Sequence, residues 1–266
     1  MDARDLSLNC SLSLQSTPLR ERAARARDLG FEAVEFWWPF AAQHPDESEI
    51  AAFVDSIRRA EVELVLLNFP GGGPSVDDRG LLCVPGREDD FARAAETAIG
   101  VGRRLGVRRY NPMAGNLAEP GPPTPEEFET ALHNLVRIAP MVAASGARIV
   151  LEPLSGFARA ALTSFADART LAVEARGAGA ADVDVLLDIY HAAVQRDAVL
   201  EGGMPDPALI GHVQVADAPG RGWPGTGELP LRTWLHDLRR RGYQGRIGIE
   251  CSGEQPLLAR EVASRL

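Results

Sequence analysis

Short apolar runs alternate with stretches of helical periodicity down the whole chain. The runs fall at residues 6–13, 33–37, 63–69, 108–113, 148–152, 183–188, 211–216 and 246–250. Each is short, rich in branched or aromatic side chains, and reads as a buried strand. Between them, apolar residues recur at helical spacing, most clearly over 46–60, 88–105 and 126–144. Start signals precede several of these stretches: Thr17-Pro18, Thr124-Pro125 with Glu127, and Thr163 or Ser164. Gly30, Gly106, Gly146 and Gly242 each close a helical stretch just before the next run.

Eight strands alternating with helices in 266 residues predict an α/β fold, a single (β/α)8 TIM barrel spanning 1–266 as one domain. The rival is an open doubly wound sheet, which carries a glycine-rich phosphate turn after its first strand. The segment Asn9-Cys10-Ser11-Leu12-Ser13 is not such a turn. The glycine run at 71–73 reads as a flexible loop, and the proline-rich 119–125 segment as a barrel loop.

Composition narrows the chemistry. The chain is 45% hydrophobic with a net charge of −9, which disfavours a nucleic-acid partner but allows a small anion held by local arginines. There is no lysine, so all 28 basic residues are arginine. Schiff-base mechanisms and the P-loop are thereby excluded. Cys10, Cys83 and Cys251 are isolated, which suits a reducing cytoplasm. Neither a secretory signal nor a membrane-spanning run is legible. A homo-oligomer is compatible with the chain, although no interface stripe stands out.

In a barrel of this kind the active site lies at the C-terminal strand ends. The last polar residues of the runs are Asn9, Glu35, Asn68, Asn111, Glu152, Asp188, Gln214 and Glu250. Four of them, Glu152, Asp188, Gln214 and Glu250, interrupt apolar strands on neighbouring staves. Three carboxylates and an amide oxygen converging on one mouth call for a positive partner. In the absence of lysine a divalent metal is the natural one, and an all-oxygen set favours Mg²⁺ or Mn²⁺ over Zn²⁺. His191, three residues past Asp188, sits at the same rim and reads as substrate-facing. His212 has the parity to lie beneath the site. His44, His133 and His236 read as surface residues. Of Trp37 and Trp38, strand alternation lets only one face inward, while Trp223 and Trp234 read as packing.

At these residues the chain resembles the hydroxypyruvate isomerase family of the xylose isomerase-like barrels. The resemblance runs through Asn9 and Ser11, GFEAVEFWWP (30–39), LNFPGG (67–72), LCVPGRE (82–88), MAG (113–115), IVLEPL (149–154), LDIYH (187–191), HVQVADAPGRGWPGTGE (212–228) and GIE (248–250). It implies metal ligation by Glu152, Asp188, Gln214 and Glu250, with Glu152 and Glu250 as the proton-transfer pair. It further implies substrate contacts from His191, Arg221, Arg87, Asn9, Asn68 and Glu228, with Arg87 or Arg221 receiving a substrate carboxylate or serving as an ion-pair partner. The reaction so implied is the isomerisation of hydroxypyruvate, a small anionic hydroxy-carbonyl, by proton transfer or by a hydride shift. The rivals are an isomerase or epimerase acting on a 2-oxo-tetronate or a ketose, a polyol dehydratase, a barrel endonuclease, and a non-catalytic binding barrel. An endonuclease would want more metal-binding histidine and a basic face.

Overall fold

In the computed structural model, which describes residues 1–71, 79–201, 204–253 and 255–266, every apolar run contributes one strand. These are β1 (Leu6–Asn9), β2 (Ala33–Phe36), β3 (Glu63–Asn68), β4 (Arg109–Asn111), β5 (Arg148–Leu151), β6 (Val183–Asp188), β7 (Ile210–Val215) and β8 (Ile247–Ile249). They pair in chain order into a closed barrel. All pairs are parallel, and β1 closes on β8 with Leu8 opposite Ile249.

The intervening helices are α1 (Cys10–Ser13), α2 (Leu19–Asp28), α3 (Glu47–Ala60), α4 (Glu88–Leu105), α5 (Pro125–Ala144), α6 (Phe165–Gly177), α7 (Ile189–Gln195), α8 (Leu231–Arg240) and α9 (Ala259–Arg265). Local chemistry sets their starts. Thr124 accepts the Glu127 amide while Glu127 takes the Thr124 amide in return, a capping box before Pro125. Asp46 and Glu49 build the same device ahead of α3, and Ser164 caps α6. Pro18 precedes α2 without a side-chain cap, so the Thr17 signal is not used as a cap. After α4 the chain turns through Gly106 at φ 68°, a left-handed conformation open to glycine without penalty.

The run at 183–188 coincides with β6 and that at 211–216 is offset by one residue from β7, while the other strands are shorter than their runs. The first run does not continue to Ser13, because the Asn9 side-chain Oδ1 accepts the Ser11 and Leu12 amides at 3.1 and 3.2 Å and bends the chain into α1. Likewise β5 stops at Leu151 and β8 at Ile249, so Glu152 and Glu250 stand just beyond the ladder. In the glycine run at 71–73, Gly72 and Gly73 lie outside the described residues.

Alternation along the strands sorts the barrel interior into levels. Asp184, Leu186 and Asp188 share one face of β6, as Arg148, Val150 and Glu152 share one face of the β5 stave. Leu66, Val150 and Leu186 form a small apolar cluster of their own across the middle, each fully buried. Below it lies an ionic level around Asp184; above it, the polar mouth. The outer faces of the strands pack on the helices in the main core. Among the described residues no helix is long and apolar enough to cross a membrane.

Candidate active site

Each acidic residue of the mouth is held by its own strand end. Asp188 ends β6 and caps α7: its Oδ1 accepts the Tyr190 and His191 amides at 2.8 and 3.3 Å, while Oδ2 faces Arg221 and His191. Glu152 Oε2 accepts from Asn111 Nδ2 at 2.5 Å. Glu250 Oε1 accepts from Asn9 Nδ2 at 3.1 Å and from the Trp37 indole at 2.7 Å. Glu152, Asp188 and His191 each bring one potential ligand atom to within 4.8 Å of the others. Glu152 and His191 line a cavity of about 340 Å³ that Glu250 and Arg221 also line.

The charge at this mouth is unbalanced. Burial, then the neighbouring Glu250 and Asp188 carboxylates, push the Glu152 carboxyl well above the usual carboxylate range. Burial pushes Glu250 up to about 8, with Asp188 and Glu35 adding to the rise and Arg221 opposing it. The Arg221 guanidinium reaches two of them. Arg221 Nη2 lies 3.4 Å from Asp188 Oδ2 and 3.1 Å from Glu250 Oε2. The second distance is an ion-pair contact without hydrogen-bond alignment, so Glu250 Oε2 stays a buried acceptor without a donor. The loop from Asp217 to Pro230 builds the perch for Arg221. Buried Asp217 accepts the amides of Ala218, Gly225 and Leu229. Arg221 itself takes φ 56°, unusual for a residue with a side chain, and Ser252 holds its carbonyl.

The oxygen donors fit a hard cation. Besides Glu250 Oε2, the Gln214 side-chain oxygen is buried with no hydrogen-bond partner among the described residues. A buried acceptor without a donor is costly, and a cation between such acceptors removes the cost. Glu152, Asp188, Gln214 and Glu250 are the residues that would hold it. His191 is placed differently. The Ser155 amide, which can only donate, points at His191 Nδ1 from 3.0 Å. The ring proton therefore sits on Nε2, 3.7 Å from Asp188 Oδ2. Burial lowers the His191 pKa, and Arg221 and Arg79 lower it further against Asp188. A neutral imidazole with its N–H at the rim is a hydrogen-bond donor to a ligand, not a metal ligand.

The structure brings most of the sequence-derived residues together. Asn9 supports Glu250, and Asn68 lines the cavity with its carbonyl oxygen buried and without a hydrogen-bond partner. Two are not brought in. Arg87 stands at the N-terminus of α4, where it pairs with Asp90 at 2.5 Å and does not line the cavity. Glu228 is exposed on the loop after β7, tied there by its amide to the Ala218 carbonyl. His212 is fully buried beneath the site, and His44, His133 and His236 are exposed. Trp223 is buried and Trp234 packs on the core. Both Trp37 and Trp38 line the cavity, which corrects the one-of-two expectation: β2 ends at Phe36, so strand alternation no longer governs them. Sequence reasoning missed Arg79 and Phe157. Both line the cavity, with the Arg79 guanidinium 3.3 Å from the centre of the Phe157 ring. Neither lies on a strand, so no periodicity marks them.

The closed barrel with acidic residues at its C-terminal strand ends matches the sequence profile described as xylose isomerase-like TIM barrel over residues 23–266. A Streptomyces coelicolor chain assigned to the hydroxypyruvate isomerases is 36% identical, covering 94% of this chain and 91% of that one. A 2-oxo-tetronate isomerase of Cupriavidus necator is 31% identical, covering 91% and 90%. Among solved structures, one described as a family 2 AP endonuclease from Brucella melitensis superposes with a TM-score of 0.84 at 25% identity, covering 97% of this chain and 96% of that one. The chain belongs to the hydroxypyruvate isomerase family of xylose isomerase-like TIM barrels and is an isomerase of the aldose–ketose type.

Proposed function

We propose that the chain interconverts hydroxypyruvate and 2-hydroxy-3-oxopropanoate (tartronate semialdehyde) by proton transfer through an enediolate. The observation that carries this reading is the pair Glu152 and Glu250, two buried carboxyls on one small cavity, both titrating far above the ordinary carboxylate range. Groups that exchange protons near neutral pH are what an enolisation at carbon requires. Glu250 accepts from two side-chain donors and faces Arg221, which favours its ionised form, so it takes the proton from carbon 3. Glu152, with one side-chain donor and with burial and two neighbouring carboxylates favouring its protonated form, protonates carbon 2, while the carbon-3 hydroxyl proton passes to the carbon-2 oxygen. The His191 Nε2–H donates to a substrate oxygen, and Arg79, on the cavity wall, faces the carboxylate end. Trp37, Trp38 and Phe157 keep water from the enediolate. A divalent cation bound at Glu152, Asp188, Gln214 and Glu250, Mg²⁺ or Mn²⁺, would supply Lewis-acid stabilisation of the oxyanions. Three buried free thiols suit action in a reducing cytoplasm.

A second reading, a 2-oxo-tetronate as substrate, is favoured by the cavity itself, since 340 Å³ is more than a three-carbon acid fills. The two are separated by offering each acid to the protein in D₂O with Mg²⁺ or Mn²⁺ and following products by NMR. Conversion of hydroxypyruvate with deuterium at carbon 2 of the product is expected. Turnover of the four-carbon acid alone moves the assignment to the second reading; turnover without exchange contradicts proton transfer.

A further inference from the structure

Beneath the mouth lies a buried polar group that the reaction does not use. Glu35, on β2 and fully buried, is met from three sides. Ser7 donates to its Oε1 at 2.6 Å, and His212 Nε2 lies 2.7 Å from the same oxygen. Gln214 Nε2 donates to its Oε2 at 2.8 Å. The fold keeps space for it: a Cβ on Gly248 would stand 2.4 and 2.7 Å from the two carboxylate oxygens. A glycine at that point of β8 is what lets a carboxylate cross the barrel interior.

The two ends of the Gln214 amide differ sharply. Its nitrogen is satisfied by Glu35, while its oxygen is buried with no partner among the described residues. An amide free to rotate would turn to pair both ends, and the two orientations present opposite chemistry to the mouth: a carbonyl oxygen or a pair of N–H donors. A carboxylate accepts and does not donate, so it takes the nitrogen and leaves the oxygen outward. We propose that Glu35 is the positioning residue that turns the Gln214 carbonyl oxygen toward the mouth and so makes an amide serve as a cation ligand. The inference rests on the reading of the mouth as a divalent-cation site and deepens it. His212 and Ser7 act one step further out, occupying the other oxygen so that Glu35 presents Oε2 to Gln214 and no other oxygen.

Replacing Glu35 by glutamine inverts the logic. The new amide keeps its oxygen on Ser7 and His212 and points N–H groups at Gln214. The Gln214 amide must then rotate, sending its own N–H groups into the mouth. The test measures Mn²⁺ affinity of the chelator-stripped protein by calorimetry and by the electron paramagnetic resonance of free Mn²⁺. Glu35→Gln is expected to weaken binding by roughly tenfold to a hundredfold, the cost of losing an outer partner of a ligand. Glu35→Gln combined with Gln214→Glu restores a donor facing an acceptor and an oxygen facing the mouth. It is expected to bind Mn²⁺ more tightly than either single change. Unchanged affinity in Glu35→Gln, or a double variant no better than its parents, overturns the inference.

A measurement on the unaltered protein stands beside these variants should Glu35→Gln fail to fold. The Gln214 side-chain amide protons, assigned by their loss in Gln214→Glu, are expected to exchange slowly with solvent both before and after Mg²⁺ is added. Fast exchange in either state overturns the proposal. Wild-type protein that binds no Mn²⁺ at all would instead overturn the cation reading, and the amide exchange would still report the orientation by itself.

Discussion

At the N-terminal end of the barrel, buried Asp184 is met by two guanidinium groups, Arg148 at 2.5 Å and Arg176. At the C-terminal end, Glu152, Asp188 and Glu250 crowd one mouth, where the Arg221 guanidinium contacts Asp188 and Glu250. The two levels stand on the same strands, separated by the apolar layer of Leu66, Val150 and Leu186. Below, charges balance: Arg148 and Arg176 pair both Asp184 oxygens and Arg148 also reaches Asp182 at 3.1 Å, an arrangement that fixes structure. Above, carboxylates outnumber the guanidinium groups, two are forced toward their protonated forms, and among the described residues buried acceptors stand without donors. Such an imbalance costs folding free energy and persists where a ligand or a reaction uses it.

Substitutions should separate the two ends. The largest effect is expected from Glu152→Gln and Glu250→Gln. Each should lower kcat about a thousandfold, the scale of a lost acid or base, while leaving the melting temperature of the cation-free protein unchanged or higher, since repulsion is removed. An active variant, or one that melts lower, breaks the comparison. A smaller and opposite effect is expected from Asp184→Asn. Its hydrogen bonds to Arg148 and Arg176 lose their charge, at a cost of about 2 kcal/mol, or a fall of roughly 4–8 °C in melting temperature. The kcat/KM should hold. A parallel loss of activity would mean that the lower level also shapes the mouth.

The barrel was legible because it is repetitive and local: eight apolar runs, helical spacing between them, and capping signals at Thr124 and Ser164 that the structure uses. The acidic residues of the mouth were legible because each breaks an apolar strand at its C-terminal end. What escaped was non-local. Ser7, Glu35, His212 and Gln214 meet only when β7 comes round to β2, and nothing near Glu35 in the chain announces a partner 177 positions away. The strand ends escaped as well, because side chains such as Asn9 capture amides that the ladder would otherwise use. Arg87 and Glu228 share short segments with conspicuous motifs. The turn into α4 and the loop around Asp217 carry them to the surface.

The pH dependence of cation uptake tests the imbalance most directly. Glu250 titrates at about 8 in the fold against an ordinary 4.5, so between those values the folded chain holds a proton the unfolded chain has released. For a carboxyl raised in this way, stability contributed by the group falls as pH rises through that window. A divalent cation bound at the mouth would displace that proton. Melting of the chelator-stripped protein with and without saturating Mn²⁺, at pH 6 and pH 8, should therefore show stabilisation by the cation that is larger at pH 8, with about one ion bound per chain and protons released on binding. A melting temperature indifferent to Mn²⁺ at both pH values would contradict the account.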